Sequence, residues 1–364
     1  MLEGLIVVVL VLGALALWWL LRRGASPQQP AAAARRSAAP PRQAAQAPAT
    51  APPAPVRSDE ALAEDGRLAR HEALAAERRQ ALLEALRQMP RPPRALHQLV
   101  SPEFVARASS SELAELVMTE PVVAARVMAA VNSPLYGLRT AVTSVGQAIT
   151  FLGLNTVRNL CLQHLLREAM PAPDPALRQE FDILWRSSAI AGEMSLVLAK
   201  RLQLRDAAGM STKLVLHFLG RFAAVTLLHT QADATAQPIG LQARALAEQQ
   251  RLGVSAGEIG SLLLQDWGLP VPMEAATREI ARIAFVVPTD PERAPAQATR
   301  MALAALCASL AERIARGQLT TLQDYAPEQD PHEDLQALRP HLPAPVLAAV
   351  GDALREPEMA RLLA

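Results

Sequence analysis

The sequence predicts an all-α fold, on three observations. The chain of 364 residues is 51% hydrophobic but only 3% aromatic, a balance that suits helices built on alanine and leucine better than β-sandwiches. Between Thr119 and Gly153 nearly every helix boundary can be read from the side chains. Further along, apolar residues recur at three- and four-residue spacing and stop at glycine or proline. No internal repeat interrupts this pattern.

Taken in order, Leu5–Leu21 carries no charge, and residues 4–21 as a helix would span roughly 27 Å, close to the hydrocarbon thickness of a bilayer. Residues 1–23 therefore read as a transmembrane anchor. A cleaved signal peptide is the rival, but Met1-Leu2-Glu3 has no basic n-region and Arg22-Arg23 follow the apolar run. With Arg35, Arg36, Arg42 and Arg57 adding to the bias, the positive-inside rule puts the N-terminus outside and the remainder in the cytoplasm. Trp18 and Trp19 then lie near the inner interface. The expected location is a membrane, with that membrane itself, through residues 4–21, as one partner.

Residues 24–57 hold eight prolines and almost no large apolar side chain, so they are expected to be a disordered Pro/Ala-rich linker. Such a tether reaches roughly 30 Å as a coil and about 100 Å when fully extended. Residues 58–89 become charged and helical from Asp59 to Gln88, with Leu62, Leu68, Leu74, Leu82, Leu83 and Leu86 among Glu and Arg. Their spacing holds no heptad, so a helix packed on the domain is expected ahead of a dimerising coiled coil, and a homo-oligomer stays open.

Pro121 suits a first helical turn, and Val123, Val127 and Val131 follow at four-residue spacing with Met128 beside them. Asn132-Ser133-Pro134 ends that helix, because the residue before proline leaves the α region and Asn tolerates a left-handed cap. Ser144 and Gln147 are spaced as a capping box for the next helix, whose Val145, Ala148, Ile149 and Leu152 share a face. Gly153 stands where it stops, and Asn155 is placed to cap a third helix. After Pro288–Pro295, Leu303, Leu306, Cys307, Leu310 and Ile314 define another helix, closed by Gly317. Two more patterns lie near Asp334–Leu338 and Val346–Leu354.

Thirty-six basic and 35 acidic residues leave a net charge of +1, and no basic stripe is interleaved with aromatics, so nucleic-acid binding is not expected. Cys161 and Cys307 are far apart on apolar faces and read as reduced core thiols.

These residues resemble the HDOD family, the HD-related output domain of bacteria. The resemblance runs through Glu120-Pro121, Asn132-Ser133, and Ser144, Ala148, Ile149, Leu152 and Gly153. It continues through Leu184-Trp185-Arg186, Leu216-His217-Phe218-Leu219-Gly220, Glu258-Ile259-Gly260 and Trp267-Gly268-Leu269-Pro270. It implies an HDOD-type helical bundle over residues 90–285, with residues 286–364 as a helical extension packing on or beside it. The family is a distant relative of the HD phosphohydrolases, in which an adjacent His-Asp pair with further His and Asp residues holds catalytic metals.

Here that place reads His217-Phe218, and phenylalanine cannot ligate a cation. Where the HD enzymes carry a His shortly after the tryptophan, this chain has Ser187. No second His lies three or four positions from His217, so it reads as a packing residue. Asp206, Glu248 and Glu258 are carboxylates of a suitable type, with Glu258 implied by the resemblance to be structural. There is no nucleophile elbow and no phosphate-binding glycine loop; Gly220 and Gly260 fall in the family segments, and Gly260 and Gly268 read as close packing and a helix stop. Trp185 and Trp267 read as core anchors. No catalytic, metal or cofactor residue is assigned; the resemblance implies a regulatory output role, and the expected function is non-catalytic signal transduction at a bacterial inner membrane through protein–protein interaction with cytoplasmic signalling proteins. The alternatives are a small-molecule or nucleotide sensor using a degenerate HD cleft and a divergent metal-dependent phosphohydrolase.

Overall fold

No strand occurs among the described residues, and most helices begin and end where local chemistry directs them. The structure is a computed structural model that describes residues 68–133, 140–172, 174–230, 238–288, 296–323, 325–356 and 359. The anchor expected at Leu5–Leu21, the 24–57 linker, the start of the charged segment and Pro134 lie outside these residues.

The first helices are α1 (Ala76–Arg87), α2 (Arg94–Leu99), α3 (Pro102–Arg107), α4 (Ser110–Met118), α5 (Pro121–Val131), α6 (Val145–Leu152) and α7 (Leu154–Ala169). Two long helices follow, α8 (Pro175–Arg201) and α9 (Ala207–His229). Then come α10 (Leu241–Leu252), α11 (Ala256–Asp266), α12 (Val271–Arg282), α13 (Ala296–Ala315), α14 (Glu333–Leu338) and α15 (Ala344–Leu354). Pro121 takes the first position of α5, and Val123, Val127 and Val131 are all buried along its inner face. Ser109 and Glu112 form a complete capping box for α4.

Several local expectations are corrected. Asn132 is not left-handed; at φ −84° its amide instead pairs with the backbone of Val142, donating from Nδ2 to the carbonyl at 2.9 Å and accepting the N–H at 2.7 Å. One side chain thus ties the end of α5 to the approach of α6. Ser144 accepts the Gln147 N–H at 3.2 Å, but Gln147 turns back to the Thr143 N–H at 2.8 Å, so only one arm of the expected box forms on Ser144. Asn155 lies inside α7, because Gly153 joins α6 directly to α7 at φ +85° and ψ 154°, backbone that favours glycine. Asp206, one of the carboxylates singled out above, opens α9, accepting the Gly209 N–H at 3.0 Å. The charged segment is not one helix: His71–Ala73 makes a single 3-10 turn, Leu74 and Ala75 are extended, and only then does α1 begin. Burial of Leu68 and contacts from His71 to α11 set that break against the local helix propensity.

α2, α4, α5 and α6 pack around α7, while α7, α8, α11, α12 and α13 surround α9. Among the described residues α9 alone is long and apolar enough to cross a membrane, yet it is mostly buried inside the bundle. A single hydrophobic cluster runs from Leu82 through both groups to Met359, so α13 to α15 share the core of the preceding helices. Each fully buried leucine or valine in it contributes about 1.5–3 kcal/mol.

Candidate functional site

α9 meets its neighbours with chemically different faces. Towards α8 it presents Phe222, whose ring lies 4.0 Å from Trp185 and 5.1 Å from Phe181, with Phe218 one turn earlier on the same strip and 2% exposed. Towards α11 it presents Gly220, against which Gly260 approaches so closely that a Cβ on Gly220 would stand 2.0 Å from the Ala256 carbonyl oxygen. On the flank of this crossing His217 points its Nδ1 at the Thr277 carbonyl of α12, 3.3 Å away. Burial pushes its pKa down to about 4, with Arg221 and Arg244 adding to the effect, so the ring is neutral at pH 7.

This place does not fit the metals of an HD enzyme. His217 is sealed between helices with one ring nitrogen aimed at a carbonyl, Phe218 offers no ligand atom, and the Ser187 hydroxyl donates to the Ile183 carbonyl of its own helix at 2.8 Å. A turn beyond His217 the charges neutralise one another. Arg221 pairs with Glu312 of α13 at 3.0 Å and approaches Glu248 of α10 at 3.6 Å; Arg244 reaches Glu312 at 2.9 Å, and Arg316 joins Glu312 to Glu180. Burial opposes the charge on Glu312, but Arg221 and Arg244 hold its carboxyl far below the usual range. Glu248 also accepts the Ala256 N–H at 2.7 Å, fixing the start of α11. Arg221, Arg244, Glu312 and Arg316 were not legible as a site. The signal for two of them was present, since Arg221 and Glu312 interrupt the apolar faces of two core helices.

Glu258 has a separate role. Its carboxylate accepts from His71 Nδ1 at 2.7 Å and from Arg278 Nε at 2.6 Å, which together outweigh the cost of burial and keep it below its ordinary pKa. It straps the 3-10 turn before α1 onto α11 and α12. Glu72 completes a group with ligand atoms within 4.8 Å of one another, but Arg278 already neutralises the one buried carboxylate in it.

The residues of the sequence pattern fall into two groups. Pro121, Asn132, Ser133, Ser144, Ala148, Ile149, Leu152 and Gly153 lie on the α5–α6 unit, where they set helix ends and bury one face. Trp185, His217, Gly220, Glu258 and Gly260 lie about the crossing of α8, α9 and α11. Trp267 and Leu269 are buried at the end of α11, and Pro270 caps α12. Cys161 and Cys307 are buried free thiols, each pushed up to about 12 by burial.

Such a bundle, with short helices packed about α7 and longer ones about a buried α9, defines an all-α domain protein. The family model described as HDOD domain matches residues 89–283, and the chain belongs to that family. No curated protein matches the sequence. Among solved structures it is similar to an HDOD domain protein of Geobacter sulfurreducens, with 18% identity, 75% of this chain and 98% of that chain covered, and a TM-score of 0.49. A Shewanella amazonensis protein provisionally named a phosphohydrolase gives 21%, 78%, 98% and 0.46 in the same order. A Marinobacter aquaeolei protein provisionally named for signal transduction gives 16%, 79%, 67% and 0.43.

Proposed function

We propose that this chain is a membrane-anchored, non-catalytic signalling protein whose HDOD domain works by binding other proteins. The observation that carries this is the chemistry at the HD place. His217 is buried and neutral, its neighbour is Phe218, Ser187 is bonded within its own helix, and the nearby carboxylates are neutralised by arginines. A water-activating metal needs several anionic or imidazole ligands converging on an open position, and that set is missing at this place. What is left for the domain is recognition, with Met118, Val122 and Phe151 among the large apolar side chains it exposes. The uncharged Leu5–Leu21 run followed by Arg22-Arg23 supports an inner-membrane anchor with the domain in the cytoplasm.

Metal analysis and phosphodiester hydrolysis on the purified full-length chain test the first half. The expected outcome is no hydrolysis and less than stoichiometric transition metal; about one equivalent per chain together with hydrolysis refutes it. Photo-crosslinkers placed at Phe151 in cells should capture a cytoplasmic protein whose purified form then binds saturably. Alkaline phosphatase fused after Pro55 should be inactive; an active fusion would place the domain on the other side of the membrane.

A further inference from the structure

Away from the helix crossing, α5, α7, α8 and the turn between α7 and α8 line a cleft of about 460 Å3. Two aromatic residues, Phe181 and Trp185, line it, both buried. Its walls are cationic, with Arg126 from α5, Arg167 from α7 and Arg178 from α8. Two acids face the same space. Asp182 is engaged by Arg167 at 3.3 Å, and Glu168 stands beside it on α7. Arg126 and Arg178 make no ion pair or hydrogen bond among the described residues. His164 also lines the cleft, and its Nε2 is buried with no hydrogen-bond partner. Arg126 and Arg178 are thus cations without an ion-pair partner in a concave place, in contrast to the self-neutralised network beneath α9.

We propose that this cleft binds the phosphate of a small phosphomonoester, with Arg126, Arg167 and Arg178 around the phosphate and the organic part over Phe181 and Trp185. Guanidinium forks match phosphate oxygens in pairs, which ammonium groups do not. The volume is that of a small-molecule site, and an apolar lining with a few convergent charges is the usual composition of one. His164 senses the same field: burial first, then Arg126 and Arg167, push its pKa down to about 4. A bound dianion offsets those cations and raises the pKa of His164, so binding takes up protons at this ring, while the phosphate's own second protonation near pH 6 acts in the opposite direction. The other charged groups facing His164 across the cleft are Arg178, Glu168 and Asp182. The site is independent of the recognition function proposed above, since a protein-binding domain with or without it is equally consistent with the chemistry at His217.

The test uses the full-length chain in mild detergent, with AMP and inorganic phosphate as probes in calorimetry and histidine-selective NMR. AMP should bind saturably and more tightly than phosphate, with the His164 resonance titrating at higher pH when AMP is present. Arg126→Glu with Arg178→Glu should weaken AMP binding by about a hundredfold, since each guanidinium removed from the phosphate costs roughly tenfold. Both side chains are exposed, so the fold should be retained, and the Lys versions should recover part of the affinity. Arg107→Glu, exposed on α3, should change nothing. Absence of saturable AMP binding at millimolar concentration, or binding that the double Glu variant leaves intact, overturns the site. Phosphate binding as tightly as AMP overturns the organic half of it.

Discussion

Replacing one glycine by alanine should have opposite effects at two places in this bundle. At Gly220 an added Cβ would lie 2.0 Å from the Ala256 carbonyl oxygen and 3.0 Å from the Gly260 backbone nitrogen. Both neighbours are backbone of α11, so neither can rotate away; α9 and α11 would have to separate by about 1 Å to restore an ordinary contact. Overpacking of this kind costs typically 1–3 kcal/mol, and helix separation would also loosen the contact of His217 with Thr277 and the buried ion pairs a turn away. Alanine returns about 1 kcal/mol through its better helix propensity, which leaves a net loss of about 1–2 kcal/mol or more. At Gly146, exposed on α6, the same Cβ meets only the Ser144 hydroxyl at 4.0 Å. There the propensity gain stands alone, and Gly146→Ala should stabilise by up to about 1 kcal/mol. Urea denaturation of both variants, followed by circular dichroism, gives the two midpoints directly. A Gly220→Ala protein as stable as wild type would show that the α9–α11 crossing is not as close as described.

Three further outcomes follow from the same geometry. Phe218→Asp should lose at least the 3–5 kcal/mol of a buried aromatic truncation without gaining hydrolysis or bound metal, checked by denaturation, metal analysis and a phosphodiester assay. His217 has its pKa depressed in the folded state, so the unfolded chain binds its proton first, and stability should fall as pH drops from about 6.5 to about 4. The loss is on the order of 3 kcal/mol; because His164 acts in the same direction, the measurement is the difference between wild type and His217→Gln, whose pH profile should be flatter in that window. Ser144→Ala removes the acceptor of the Gln147 N–H and should cost about 0.5–2 kcal/mol, whereas an unchanged denaturation midpoint would mean that the cap contributes nothing.

Much of the helical framework was legible because its determinants are local. Pro121 at a first turn, the valines of α5, Ser144 before α6, and Gly268 and Gly317 at φ +70° and +72° all act through backbone sterics or hydrogen bonds within a few residues. The substitution of Phe218 for an acidic ligand is also a property of sequence alone, because no fold can make a phenyl ring coordinate a cation. What failed were places where a side chain chose one backbone or side-chain partner over another that its spacing also allowed. Gln147 turns to Thr143, Asn132 to Val142, and the charged segment breaks at Leu74 because His71 is held by Glu258, 187 positions away.

The candidate sites divide the same way. That Phe218 offers no ligand atom to a cation was set by residue identity, whereas the fate of the charges around it was decided by packing. Arg221, Arg244 and Glu312 come from three helices and meet only because Gly220 and Gly260 let α9 and α11 cross in contact and α13 folds back along α8. In sequence each is a charge that belongs in solvent; in the bundle, desolvation makes each intolerable alone and satisfied only by the others. The arginines of the α5–α7–α8 cleft show the converse: three helix-surface cations, unremarked along the chain, become a site because the tertiary fold turns them towards one concave volume and leaves two of them without an acid among the described residues.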